Sequence, residues 1–223
     1  MIAAEKPDVI IDIGDFYDME SLCGWDKGKR GFQGREYQND ISHGLDAQDR
    51  IETELKKVKG YNPKKVRCLG NHENRISRVV EDQAEFYGTL TRSHFQSKEY
   101  GWEEHDYLEP VNIDGIAYCH SFASGIMGRP ISGENPAASL LNKKKMSCVI
   151  GHNHVLDFAT RNDAMGNKMS AVSVGCFFEH NESYAGPQVN KMWDRGIVIL
   201  NDVQAGDFDF EWWSMRRIKG KYS

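Results

Sequence analysis

The sequence predicts an α/β protein that carries its chemistry at strand ends. Three observations support this. Short apolar runs, rich in β-branched residues or Cys, recur at 8–13, 65–69, 115–119, 147–150, 169–175 and 196–201. Helical stripes lie between and after the early runs. Asp, Asn or His stands just beyond four of the runs.

The elements follow in order. Run 8–13 (DVIIDI) reads as a buried strand. Segment 45–59 places Leu45, Ile51, Leu55 and Val58 on one helical side, with charges opposite. Run 65–69 is the second strand. Segment 74–90 repeats the stripe with Ile76, Val79, Val80 and Phe86. A third helix is expected over 135–145, with Pro136 in its first turn. The later part reads as β-rich, with one hairpin over 158–174 turning at 162–167 and another over 196–215 turning at Gly206. No internal repeat or low-complexity linker divides the 223 residues, so the expectation is a single domain over 1–223. An inserted loop at about 19–43 interrupts it. That loop interleaves Gly24, Gly28, Gly31 and Gly34 with Trp25, Phe32, Tyr37 and basic residues. A loop of this length is usually functional or disordered. Its aromatics favour an ordered loop that packs on something. Trp25 and Tyr37 have the chemistry to stack a base, but packing within the loop is the expectation.

Composition narrows the class. A hydrophobic share of 39% beside a charged share of 27% is that of a globular chain able to bury a core. No apolar run approaches the ~20 residues of a membrane helix, and MIAAEKPD does not resemble a signal peptide. Five widely spaced cysteines without a CxxC pair read as reduced, buried small hydrophobes, which places the chain in the cytoplasm. A net charge of −5 supplies no general field for nucleic acid. The basic clusters at 27–30, 143–145 and 216–221 read as solvated surface or helix ends before nucleic-acid contacts. The Phe177-Phe178 and Trp212-Trp213 pairs read as packing between sheets.

The strand ends carry the functional signal. The first run ends in Gly14-Asp15, with Asp18 three residues on. The second ends in Gly70-Asn71-His72-Glu73, the third in His120, and the fourth in Gly151-His152-Asn153-His154. Strand ends are where sites assemble in layered α/β folds. Glycine before a ligand permits a sharp turn and close backbone approach. Hard oxygens mixed with imidazoles suit Mn, Fe or Zn better than Ca. Taken singly, Asp15 would be a turn residue and His120 a core histidine, while His152 and His154, alternating along an extended segment, would be a surface pair or ligands with equal weight. His105 and His180 belong to no motif and read as structural.

The order GDxxD, GNHE, a lone His, then GHxH resembles the calcineurin-like metallophosphoesterases, over residues 9–154. The insertion after GDxxD is similar to phage-encoded members, which would place the chain in a host cytoplasm. The resemblance implies a sandwich of two mixed β-sheets flanked by helices, and a centre of two divalent metal ions (Mn, Fe or Zn). It implies that Asp15 bridges the ions, that Asn71, His120 and His152 complete one site, and that His154 serves the other. It makes His72 the catalytic acid that protonates the leaving oxygen. Asp18 becomes a partner behind the ligands, and Arg75 a residue with reach to a phosphate oxygen or a surface helix residue.

The family pattern begins with Asp-x-His on an earlier strand, and MIAAEKP contains neither residue. The first strand is therefore expected to be missing, which leaves an edge beside run 8–13. Of the explanations, a start at an internal Met is preferred to a natural one-metal form or to a strand donated by another subunit. One ion is expected to be held firmly and the second weakly. His43 and His94 are substitutes by residue type alone.

The function expected is metal-dependent hydrolysis of a phosphodiester or phosphomonoester by a metal-held hydroxide. The alternative is a binding or regulatory pseudo-enzyme with an incomplete centre. The partner expected is the phosphoester substrate, with no membrane and with nucleic acid as the lesser possibility. Met19-Glu20-Ser21 after GDxxD disfavours the protein phosphatase subgroup, which carries Asp-Arg-Gly there.

Overall fold

A computed structural model describes residues 1–182 and 184–222. The chain divides into two compact units, Met1–Tyr107 and Leu108–Ser223. Both mix helices with sheet, so the α/β class holds.

The first unit opens with a short helix, α1 (Ile2–Glu5), and then β1 (Val9–Asp12). It continues through α2 (Tyr37–Lys56), β2 (Lys64–Cys68), α3 (Arg75–Asp82) and β3 (Trp102–His105). The three strands form a parallel sheet in the order β1–β2–β3. β1 is an edge strand, and among the described strands it pairs with β2 alone.

Three expectations change here. Helix α2 begins at Tyr37, eight residues before the expected start, so the inserted loop ends at Glu36. Gly44 is the reason that this stretch looks unlike a helix in sequence. A Cβ there would collide with the ring of Tyr17, so the glycine is a packing requirement. Helix α3 stops at Asp82, because Gln83 turns to φ −141° and ψ 85°; Phe86 lies beyond it in a 3-10 turn. Strand β3 (WEEH) escapes the periodicity argument because it is short and half of it is glutamate. Its pairing with β2 and Trp102, which is buried, define it.

The core of the first unit forms where the loop after β1 folds over α2. Tyr17, Met19, Ile41, Ile76 and Phe95 make one buried cluster. The Tyr17 hydroxyl donates to the Phe95 carbonyl at 2.9 Å and accepts from Gln48 Nε2 at 2.6 Å. The Tyr17 ring stacks on Phe95 at 4.2 Å. Arg67, wholly buried in β2, donates to Asp12 Oδ2 at 2.6 Å, with Phe16 and Trp102 rings 4.6 and 4.7 Å from its guanidinium. A buried charge is tolerable only with such a partner.

The second unit holds β4 (Val111–Ile113), β5 (Ile116–Tyr118), α4 (Pro136–Lys144), β6 (Ser147–Ile150), β7 (Leu156–Asn162) and β8 (Lys168–Val174). It ends with α5 (Gly186–Met192), β9 (Gly196–Gln204), β10 (Asp207–Ser214) and α6 (Met215–Tyr222). The main sheet runs β4–β5–β6–β8–β7, mixed, with β5, β6 and β8 parallel. Both expected hairpins form, as β7–β8 and β9–β10. Helix α4 packs its Ala137, Leu140 and Leu141 onto Ala117, Cys148, Ile150 and Ala171 of the sheet.

The five cysteines are free and buried. Burial pushes the Cys119 and Cys176 thiols up to about 11, and that of Cys148 up to about 12, so they stay inert. Trp213 is buried, whereas Phe177 is 61% exposed and does not pack between sheets. Among the described residues, no helix is long and apolar enough to cross a membrane.

Candidate functional site

Two loops of the first unit interlock at the carboxyl ends of β1 and β2. Gly14 adopts φ 97° and Asp15 φ 59°, so the chain turns sharply as it leaves the strand. The left-handed region is uncommon for a residue with a Cβ, though Asp tolerates it better than most. Glu73 holds the turn. Its carboxylate accepts from the amides of Asp15 at 3.0 Å, Tyr17 at 2.8 Å and Gly70 at 2.8 Å. Asp15 Oδ1 in turn accepts from the His72 amide at 3.0 Å. Each loop therefore satisfies the other's backbone donors. A Cβ on Gly70 would overlap Asp15 Oδ1 and lie 2.5 Å from the Asp15 amide nitrogen.

Glu73 is fully buried, and its carboxyl is pushed up to about 7, first by burial and then by the charges of Asp15 and Asp12. Local pattern assigns no role to Glu73 within GNHE. The available signal was an acidic residue directly after an Asn-His pair, at a strand end with unpaired amides to satisfy.

His72 is half-buried beside Asp15. Its Nδ1 lies 2.8 Å from Asp18 Oδ1, and its Nε2 lies 3.8 Å from Asp15 Oδ2. Burial alone would lower its pKa. The Asp18 carboxylate against Nδ1 and the Asp15 charge outweigh that, and the ring titrates above the ordinary histidine value. Asp18 thus stands behind His72. Arg75 is neither a solvated helix residue nor an open hand for phosphate. Its Nη1 donates to the carbonyls of Asp18 at 2.7 Å and Met19 at 3.3 Å, which ties α3 to the loop after β1. Asn71 sits half-buried in the same loop as His72.

In the second unit, histidines stand at the ends of β5 and β6. His120 is 1% exposed, and its carbonyl accepts from the amides of Gly151 and His152, each at 3.1 Å. That backbone clasp sets the two rings together, with His120 Nε2 3.1 Å from His152 Nδ1. His154 does not continue an extended segment with His152. Residues 152–153 form a turn, and His154 takes φ 55°, which reverses the chain and ends the alternation. Its ring meets Trp193 edge-on at 4.7 Å and Phe178 at 5.4 Å.

Among the described residues, Asp15, His120 and His152 form a group that could hold a metal ion. His154 stands outside that group. The remaining histidines have other engagements. His94 Nδ1 meets the Tyr37 hydroxyl at 2.7 Å, His105 pairs with Glu103 at 3.0 Å, and His180 pairs with Glu182 at 2.6 Å; His43 is exposed on α2. No protein-family model matches the sequence, and no curated protein does.

Proposed function

We propose that the protein is a metal-dependent phosphoesterase of the calcineurin-like kind. The observation that supports this reading is the Asp15–His120–His152 group, with His72 directly beside Asp15. The donor set fits a divalent transition metal, because one carboxylate offsets part of the charge and two imidazoles satisfy a borderline-soft ion. Such an ion, when bound, lowers the pKa of water and withdraws charge from a phosphoryl oxygen.

The chain's own residues supply the rest. Asp15 Oδ1 accepts from the His72 amide, which sets the orientation of the carboxylate before any ligand arrives. His120 and His152 are held by their shared backbone clasp. Water adds to phosphorus as the bond to the leaving oxygen breaks. His72, as an imidazolium, turns Nδ1 to Asp18 and carries a transferable proton on Nε2; it delivers that proton to the departing oxygen, and the proton released by the attacking water restores it. Glu73 and Arg75 keep the two loops in register. Asn71 and His154 are the further ligands in this reading, for a two-ion centre.

A second reading is a binding or regulatory protein with an incomplete centre. It is favoured by one observation, that the described residues hold a single such group and His154 lies outside it. Metal stoichiometry by elemental analysis, beside hydrolysis of an aryl phosphodiester, separates the two. Metal bound without hydrolysis would favour the second reading. No bound metal would remove the phosphoesterase reading.

A further inference from the structure

We propose that the loop at 23–36 in the first unit is a contact surface for single-stranded nucleic acid. The inference stands on that loop and does not depend on the metal chemistry. Its sequence was expected to pack its aromatics. Tyr37 does so, against His94, and Phe32 is half-buried with the Arg35 guanidinium 5.7 Å from its ring centre. Trp25 does not: it is 78% exposed.

The loop that presents Trp25 is structured. Backbone bonds close successive turns, Asp26 N to Cys23 O at 3.2 Å, Lys29 N to Asp26 O at 2.9 Å and Phe32 N to Lys29 O at 3.1 Å. Arg35 fastens them from inside, on Asp26 at 2.8 Å and Glu20 at 3.1 Å. A large apolar ring held out on an ordered support loses little further freedom when it binds.

Charge identifies the partner. The whole chain is acidic at −5, yet this loop has Lys27, Lys29, Arg30 and Arg35 against Asp26 and Glu36. Asp26 is neutralised in place by Arg35 and by Lys29 at 3.3 Å. Lys27, Lys29 and Arg30 are all exposed, and neither Lys27 nor Arg30 enters an ion pair among the described residues. An exposed indole among exposed cations matches a strand whose bases offer π-faces and whose backbone offers phosphates. A duplex hides those faces, so the single strand is the form that fits.

The test measures anisotropy of labelled dT12 and rU12 with the full chain in EDTA, so that no cleavage intervenes. Both oligomers should bind, at least as tightly as a 12-base-pair duplex. Trp25→Ala should weaken binding by roughly 5- to 100-fold, and Trp25→Phe should retain most of it. Lys27→Ala with Arg30→Ala should lower the salt slope of log K by about 0.7 for each lost phosphate contact. Oligomer binding unchanged in Trp25→Ala, or a clear preference for duplex, would overturn the proposal. So would Trp25-dependent binding to phosphatidylserine vesicles without oligomer binding. Oligomer binding in EDTA, with no phosphodiester hydrolysis once Mn²⁺ is supplied in place of EDTA, would count against the phosphoesterase reading alone.

Discussion

Gly70 and Asp15 touch so closely that no side chain fits between them: a Cβ on Gly70 would overlap the Asp15 carboxylate. The glycine at the end of one strand exists to admit the acid at the end of its neighbour. Gly70→Ala should therefore push Asp15 aside. Overpacking of this kind typically costs about 1–3 kcal/mol of stability. Metal affinity should fall further, by tenfold or more, because Asp15 loses its aim. Titration with Mn²⁺ beside a urea melt measures both. A stable Gly70→Ala variant with unchanged Mn²⁺ affinity would show that Asp15 is not a ligand.

Asp15→Asn tests the charge without the geometry. Asn also tolerates a positive φ, so the turn should survive. The chain as isolated should hold one Mn²⁺, Fe or Zn²⁺ firmly. Asp15→Asn and His152→Ala should each reduce that occupancy to a small fraction after dialysis. Elemental analysis is the check, and two tightly held ions per wild-type chain would mean that further ligands complete the centre.

Glu73 should matter more to stability than a single carboxylate usually does. Its two oxygens serve three backbone amides. In Glu73→Gln an amide nitrogen must face at least one of those donors, and each buried donor left unmet costs about 1–3 kcal/mol. Denaturant midpoints at fixed pH measure this. A variant as stable as wild type would mean that the loops are held elsewhere.

The same residue fixes a pH dependence. Glu73 titrates near 7 in the folded, metal-free protein, and near the ordinary carboxyl value when unfolded. Between about pH 4.5 and 7 the folded state holds a proton that the unfolded state has released. Metal-free stability from this group therefore falls as pH rises through that window and levels off above it. Urea melts in EDTA from pH 4.5 to 8 should show the decline, and Glu73→Gln should flatten it. A stability that climbs through the window with equal slope in both proteins would contradict the assignment.

His72→Ala should lower turnover by about 10²–10⁴-fold and leave metal content nearly intact. Asp18→Asn gives a finer test. Asp18 raises the His72 pKa, so its removal should move the alkaline limb of the rate profile to lower pH. Equal losses of metal and rate in His72→Ala would make His72 a ligand.

Much of this was legible in the sequence. The strand runs, both late hairpins, the buried cysteines and the motif residues at strand ends follow from local rules. A β-branched run closed by Gly-Asp or Gly-Asn-His states its own ending. The helix start at Tyr37 was not legible, because Gly44 looks like a breaker until Tyr17 is seen resting on it. Strand β3 is too short and too charged for periodicity to detect, and only its pairing with β2 defines it. Glu73, Arg67 and the exposed Trp25 share one cause. Burial and partnership are decided by residues distant in the chain, such as Asp15 for Glu73 and Asp12 for Arg67. Local pattern determined which residues end each strand. Tertiary packing decided which carboxylate holds a loop, that His154 turns away from the line of His152, and that Trp25 is left in solvent.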